Sequence, residues 1–264
     1  MSFKTLLQRG HWLLSAQFGL DLRLMCRSVW AVPRYLRDYI NFRSKYSGRL
    51  EFLPCLHDWY EEAGVTKSEY FWQDLLVARM IFEAKPEKHV DIGSRIDGFV
   101  AHVASFREIE VFDVRPVTAT IPGLVFRQAD FMRSEGMFAD YCDSVSCLHA
   151  LEHFGLGRYG DPIDPKGFES GLVNMARLLK PGGAFYLSIP VGLERVEFNA
   201  NRVFNPRAII SFANANGLTL QTLTVVTGDE GPHVLSPTEE ELTALAVCRY
   251  NLGIFVFAKQ EIGV

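Results

Sequence analysis

Two hydrophobic periods alternate along the middle of this chain. Short apolar runs bounded by Gly, Pro or Asp are followed by stretches with apolar residues three and four apart, which read as strands and helices in turn. Strands are predicted before Gly93, over 109–113, over 124–130 (ending in an acid), over 141–148 and over 184–189. The spacing also predicts a helix over 68–84. Ser68 caps it, Phe71, Leu75, Leu76 and Met80 share one face, and Pro86 stops it. Its polar members Tyr70, Gln73 and Asp74 either approach a ligand cleft or form a solvated face. A helix over 168–179 ends at Lys180-Pro181-Gly182-Gly183, a basic last turn followed by proline and glycine stops. Asn205-Pro206 opens another over 206–215, and strands over 217–227 and 253–259 enclose a short helix over 239–246. Alternating strand and helix implies an α/β fold with a doubly wound, mainly parallel sheet of seven strands.

The first 46 residues follow a different pattern. Residues 3–30 mix Leu, Phe, Trp and Met with Lys and Arg at roughly helical spacing, Pro33 is expected to break the helix, and 35–46 resumes it. Residues 1–50 hold nine Lys/Arg against two Asp, so +7 sits there and −11 in the rest of a chain whose net charge is −4. The organisation expected is a basic amphipathic helical extension over 1–46 and an α/β domain over 47–264. The extension suits peripheral contact with an anionic membrane, or a cap on the main domain, or self-association. The acidic body argues against a nucleic-acid partner. Neither a secretory leader nor a membrane-spanning run of about 20 apolar residues is expected. Five cysteines without a CxxC pair fit a reducing cytoplasm, with the inner membrane face as a peripheral station.

Candidate chemistry begins at Val90-Asp91-Ile92-Gly93-Ser94, where an acid and a glycine close a strand and lead into the first turn of a helix continuing through Val103 and Ala104. Such a turn brings backbone N–H groups to a nucleotide-like ligand. About 20 residues on, Asp113 ends the next strand, the position of an acid that binds ribose hydroxyls. A nicotinamide cofactor would use a similar turn, but Gly93-Ser94-Arg95-Ile96-Asp97-Gly98 does not satisfy G-x-G-x-x-G.

Together with Gln128-Ala129-Asp130, the run Leu148-His149-Ala150-Leu151-Glu152-His153-Phe154 and Leu179-Lys180-Pro181-Gly182-Gly183, these residues resemble the class I S-adenosylmethionine-dependent methyltransferases over roughly 68–260. More narrowly, 91–99 looks like an uncharacterised bacterial methyltransferase-like family. That resemblance implies association with surface polysaccharide or other glycan assembly, and S-adenosylmethionine as cofactor. The positions it assigns to the cofactor are Asp91, Gly93, Ser94, Arg95, Asp113, Asp130, Phe131 and Leu148. The family's glycine turn has further glycines where this chain carries Arg95 and Asp97. Arg95 either pairs with the methionine carboxylate or pairs with Asp97 and fills the site.

Methyl transfer to a hydroxyl needs a positioned nucleophile and a base for its proton. His149 and His153, with Glu152, follow strand four where the acceptor approaches, and a histidine titrates in the right range. The alternative for this tail is packing and cofactor-wall material. His149-x-x-Glu152-His153 also spells a zinc-hydrolase pattern, but Gly155, Gly157 and Gly160 follow too soon for its helix. A divalent ion held by Asp161 or Asp164 with a histidine is a further option and not the favoured one. The long Gly/Pro-rich loop over 155–167 offers Arg158, Tyr159, Asp161 and Asp164 to a sugar acceptor, or is a turn-rich connection. Asn199, Asn201 and Arg202 read as surface loop or as the far wall of the cleft. The function expected is O-methylation of a sugar or glycan-linked hydroxyl with a histidine base. The alternative is a catalytically inactive methyltransferase-fold module for binding or scaffolding.

Overall fold

A computed structural model of the chain describes residues 7, 10–64, 66–133, 139–228 and 230–261; Lys4 and Arg9 of the basic extension lie outside them. The chain divides into two compact units, Met1–Val65 and Thr66–Val264. Residues 47–65 thus group with the helical extension.

In the first unit a π-helical turn, Leu13–Gln17, precedes α1, Leu22–Arg43. The Asp21 carboxylate caps α1, accepting the Arg23 and Leu24 N–H groups at 2.8 and 3.1 Å. Contrary to the expected break, α1 runs through Pro33. Proline removes one hydrogen bond, to the carbonyl four residues earlier; Val29 is exposed, so water can take that place. Phe52 packs edge-on against Tyr35 and Tyr39, and the Arg34 guanidinium lies 4.0 Å from the Trp59 ring centre.

The second unit opens with α2, Glu69–Ala84, capped by the Ser68 hydroxyl. Strand β1, His89–Ile92, leads through a π turn, Ile96–Val100, into the short α3, Ala101–Ala104. Then come β2 (Ile109–Asp113), β3 (Leu124–Gln128), β4 (Cys142–Leu148), α4 (Gly167–Leu178) and β5 (Leu179–Val191). A small ribbon, β6 (Arg195–Glu197) with β7 (Asn201–Val203), is followed by α5 (Pro206–Ala215) and β8 (Leu218–Thr227). The chain closes with β9 (Gly231–Leu235), α6 (Glu239–Val247) and β10 (Asn251–Lys259).

The main sheet has eight strands in the order β3-β2-β1-β4-β5-β10-β8-β9. Pairs from β3 to β5 are parallel, and β10, β8 and β9 join antiparallel. The expected sheet of seven gains β9, an edge strand whose half-exposed residues resemble a polar connection. Strand β5 also starts five residues earlier than expected, because Leu179 pairs with Cys142 across a bulge. A side chain on Gly183 would stand 2.9 Å from the Asp143 carbonyl, so glycine is needed where the strand enters.

Apolar clusters cover both faces. Val77 and Ile81 of α2 pack with Phe99, Val103, Ile109 and Ile254 on one. Leu172 and Met175 of α4, Ile209 of α5 and Leu242 of α6 pack with Phe185, Phe255 and Phe257 on the other. The strand order reverses between β1 and β4, and in such sheets the crevice for a ligand opens at the carboxyl ends of those strands.

Candidate active site at the carboxyl edge of the sheet

Gly93 turns the chain out of β1 with φ +74°, and a Cβ there would lie 3.0 Å from that of Ala150. Beneath it, the Asp91 carboxylate accepts the Ser94 N–H (3.0 Å), the Ser94 hydroxyl (2.6 Å) and the Ser146 hydroxyl (2.5 Å). The Leu148 N–H in turn donates to the Ser94 oxygen at 3.0 Å. Asp91, Ser94 and Leu148 are buried, so these three build the turn from inside and do not line its surface. Burial pushes Asp91 up to about 7, against the hydrogen bonds from Ser146 and Ser94.

Arg95 and Asp97 do pair, at 2.8 and 3.1 Å, but both are exposed. They fill no buried space. An exposed pair of this kind is worth about 0–1 kcal/mol, so a ligand carboxylate can compete for the guanidinium. Arg95 also lies 5.4 Å from the Tyr70 ring centre. Gln73 and Asp74 are buried, which ends the solvated-face reading of α2. Gln73 donates to Asp74 (2.9 Å) and accepts the Ser188 hydroxyl (2.5 Å). The other oxygen of Asp74 faces Gly98 so closely that a Cβ on Gly98 would come within 2.5 Å of it. Burial raises the Asp74 carboxyl, and no cation bonds to it among the described residues.

Asp113 sits at the end of β2, one strand over, and Arg115 holds it in a bidentate pair. The Arg115 backbone N–H and Nε reach Oδ1 at 2.8 and 3.0 Å, and Nη2 reaches Oδ2 at 2.6 Å. The same guanidinium lies 4.4 Å from the Tyr159 ring centre, with Arg158 at 5.2 Å and the His153 ring edge-on at 5.5 Å. Asp130, past β3, accepts the Met132 N–H at 2.9 Å and stands 3.7 Å from Arg133. Phe131 is buried edge-on against Phe112.

The three polar residues after β4 form one network. His149 takes φ +51°, a left-handed conformation uncommon outside glycine, and its N–H bonds the Ser188 carbonyl at 2.9 Å. Its Nδ1 meets Glu152 Oε1 at 2.7 Å, and its ring lies against Tyr70 with centres 4.6 Å apart. Its Nε2 is buried without a hydrogen-bond partner, 3.5 Å from Glu69 Oε1, and Glu152 Oε2 is likewise unpartnered. Burial works against a charged His149, but Glu152 and Glu69 outweigh it and raise the imidazole above its usual value. Burial works in the opposite sense on Glu152, and His149 outweighs it and lowers that carboxyl. His153 falls below its usual value through burial, with Arg158 adding to the effect against the pull of Glu152.

The loop over 155–167 uses its acids internally. Asp161 accepts the N–H groups of Gly155, Gly157 and Tyr159, and Asp164 accepts that of Lys166. Both therefore shape the loop, Asp161 through both carboxylate oxygens and Asp164 through Oδ1. Arg158 and Tyr159 remain exposed. Arg202, read as surface loop or as the far wall of the cleft, is buried, with its guanidinium on the carbonyls of Glu152, Phe154, Asp164 and Pro165. Burial lowers its pKa.

Asp74 was expected near the cleft, whereas Glu69, Arg115 and Tyr250 were not among the expected site residues. The Tyr250 hydroxyl donates to Glu69 Oε1 at 2.8 Å. Tyr250 reaches this end because β10 is antiparallel and begins beside Val191, where β5 ends.

Residues 124–214 match the family model described as "Caenorhabditis protein of unknown function, DUF268". No curated protein matches the sequence. Among solved structures, the chain is similar to the 1,6-didemethyltoxoflavin-N1-methyltransferase of Burkholderia thailandensis, solved with S-adenosylhomocysteine. Identity is 14%, 88% of this chain and 91% of that one are covered, and the TM-score is 0.52. The N-methyltransferase NodS of Bradyrhizobium japonicum, in complex with S-adenosylhomocysteine, is 13% identical over 75% of this chain and 91% of that one, TM-score 0.50. The [4+2]-cyclase SpnF is 16% identical over 71% and 81%, also with TM-score 0.50. One fold thus carries differently named activities. The second unit of this chain has the Rossmann-like α/β fold of the class I S-adenosylmethionine-dependent methyltransferases.

Proposed function

We propose that the chain is an S-adenosylmethionine-dependent O-methyltransferase acting on a sugar or glycan-linked hydroxyl in the reducing cytoplasm. The observation that carries this reading is the buried Nε2 of His149, left without a hydrogen bond while Glu152 holds Nδ1. A ring oriented by a carboxylate on one nitrogen, with the other making no hydrogen bond and facing the Glu69 carboxylate at 3.5 Å, suits a general base. Glu152 is the positioning residue and stabilises the imidazolium that forms when the hydroxyl proton reaches Nε2. His153, lowered by burial and beside Arg158, suits the wall of the cleft better. The exposed Arg158 and Tyr159 support an acceptor rich in hydroxyls, and five unpaired cysteines support the reducing compartment.

The residues fit the cofactor. Gly93 would allow the close approach, Asp113 would take the ribose hydroxyls once Arg115 leaves it, and Asp130 would take the adenine edge. Arg95 and Asp74 offer a cation and an anion for the two ends of an amino acid. When bound, S-adenosylmethionine supplies a methyl group made electrophilic by its sulfonium. The engagement of Asp113 by Arg115 favours one second reading, a binding module that takes no cofactor.

Calorimetric titration separates the two. S-adenosylmethionine and S-adenosylhomocysteine should bind, NAD should not, and absence of binding by the first two would favour the module. Asp74→Asn should weaken S-adenosylhomocysteine about tenfold or more by losing a charged partner. It should leave methylthioadenosine, which lacks the amino-acid end, unaffected; equal loss for both ligands would remove Asp74 from the site.

A further inference from the structure

Helix α1 exposes an apolar stripe that nothing among the described residues of its own unit covers. Leu22, Met25, Val29, Val32, Leu36 and Ile40 recur three and four residues apart and are all exposed. At 100° per residue they occupy roughly a quarter of the helix circumference. Among its 22 residues only Ala31 is buried, and Trp30, on the arginine side of the helix, is 82% exposed. Trp12, Leu13, Leu14, Phe18 and Leu20 carry the exposed apolar surface back through the preceding turn. A continuous apolar surface of this kind marks an interaction site.

The charge on α1 selects the partner. The helix carries Arg23, Arg27, Arg34, Arg37 and Arg43 against one acid, Asp38, which Arg37 already pairs at 3.0 Å. With the stripe turned to a second copy, Arg23, Arg27 and Arg34 project from the far side of the helix, so their charge finds no partner in such a pair. Read as a coiled-coil seam, the stripe is flanked by Cys26, Ser28, Pro33 and Tyr35, with none of the complementary charges that fix helix pairing. Anionic headgroups meet both features: the apolar side chains enter the acyl boundary, and the arginines of the polar face stay within about 10 Å of the phosphates, the order of one Debye length. No described helix is long and apolar enough to cross a membrane, so the geometry is in-plane. We propose that α1 and the apolar turn before it form a docking surface for an anionic lipid leaflet.

The full-length chain is to be pelleted with vesicles of phosphatidylcholine alone and of phosphatidylcholine mixed equally with phosphatidylglycerol. It should pellet with the second only, less so as salt rises, and tryptophan emission should shift to the blue, because Trp12 belongs to the docking surface. Val29→Glu with Leu36→Glu, and separately Arg23→Glu with Arg27→Glu, should each lower the bound fraction about tenfold or more. All four side chains are exposed, so unfolding midpoints should match the parent and show that the variants fold. Three outcomes would overturn the proposal: no pelleting with anionic vesicles, pelleting that survives Val29→Glu with Leu36→Glu, or a solution dimer that this pair converts to monomer. The last would assign the stripe to a second copy of the chain.

Discussion

At the scale of single residues, His149 illustrates how a buried polar atom acquires a task. Its left-handed backbone conformation and the Ser188 carbonyl fix where the ring leaves the strand, Glu152 fixes the ring's orientation, and Nε2 is left over. On the proposed function, His149→Gln should lower turnover by about 10²–10⁴ while leaving S-adenosylhomocysteine affinity within about twofold. A base must be neutral to act, and Glu152 raises His149, so activity should rise with pH through a value above 6.5. Glu152→Gln removes that anion and should move the rising limb to lower pH; an unmoved limb would detach Glu152 from the base. The histidines and Glu152 were legible as candidates because residue type and position coincide. Their ranking was not, since it depends on which nitrogen has a partner. Arg202 misled for the same reason: an arginine after a strand reads as surface until four carbonyls are found around it.

At the scale of elements, β1 carries two titratable side chains inside the sheet, two residues apart and on the same face. The His89 ring lies 2.8 Å from the Ser144 hydroxyl and 3.1 Å from that of Ser146, which also bonds Asp91. Burial pushes His89 down to about 3 and Asp91 up to about 7. The signs oppose. A depressed histidine makes stability rise with pH between about 3 and 6.5, whereas a raised aspartate makes it fall between about 4 and 7. The two slopes nearly cancel, so Asp91→Asn should unmask the histidine. Denaturant midpoints that rise with pH across this window in the variant, and stay flatter in the parent, would bear this out; identical profiles would refute the pairing. Strands such as β1 were legible from their apolar runs, and α2 from its period and serine cap. Strand β9 was not, because an edge strand buries too little to leave a pattern. Nor was the continuity of α1 through Pro33, because an exposed carbonyl tolerates the missing donor.

At the scale of the molecule, both apolar clusters and the whole candidate site belong to Thr66–Val264. That part expressed alone should unfold cooperatively, by calorimetry, and bind S-adenosylhomocysteine as the full chain does; loss of folding would show that Met1–Val65 completes its core. The charge asymmetry between the two parts was plain in the sequence, and so was the doubly wound class. The division near residue 65 was not, because the aromatic contacts that draw Phe52 and Trp59 to α1 leave no periodic signal. One side chain bears on how the proposed cleft would fill. Arg115 rests on Asp113 with one edge and against Tyr159 with its face. A ligand claiming Asp113 must dislodge Arg115, and the loop that carries Tyr159 then loses one of its tethers. On the proposed function, occupation of the ribose end would reach the acceptor's loop through a single guanidinium, and the two ligands should then bind in order, the nucleoside first.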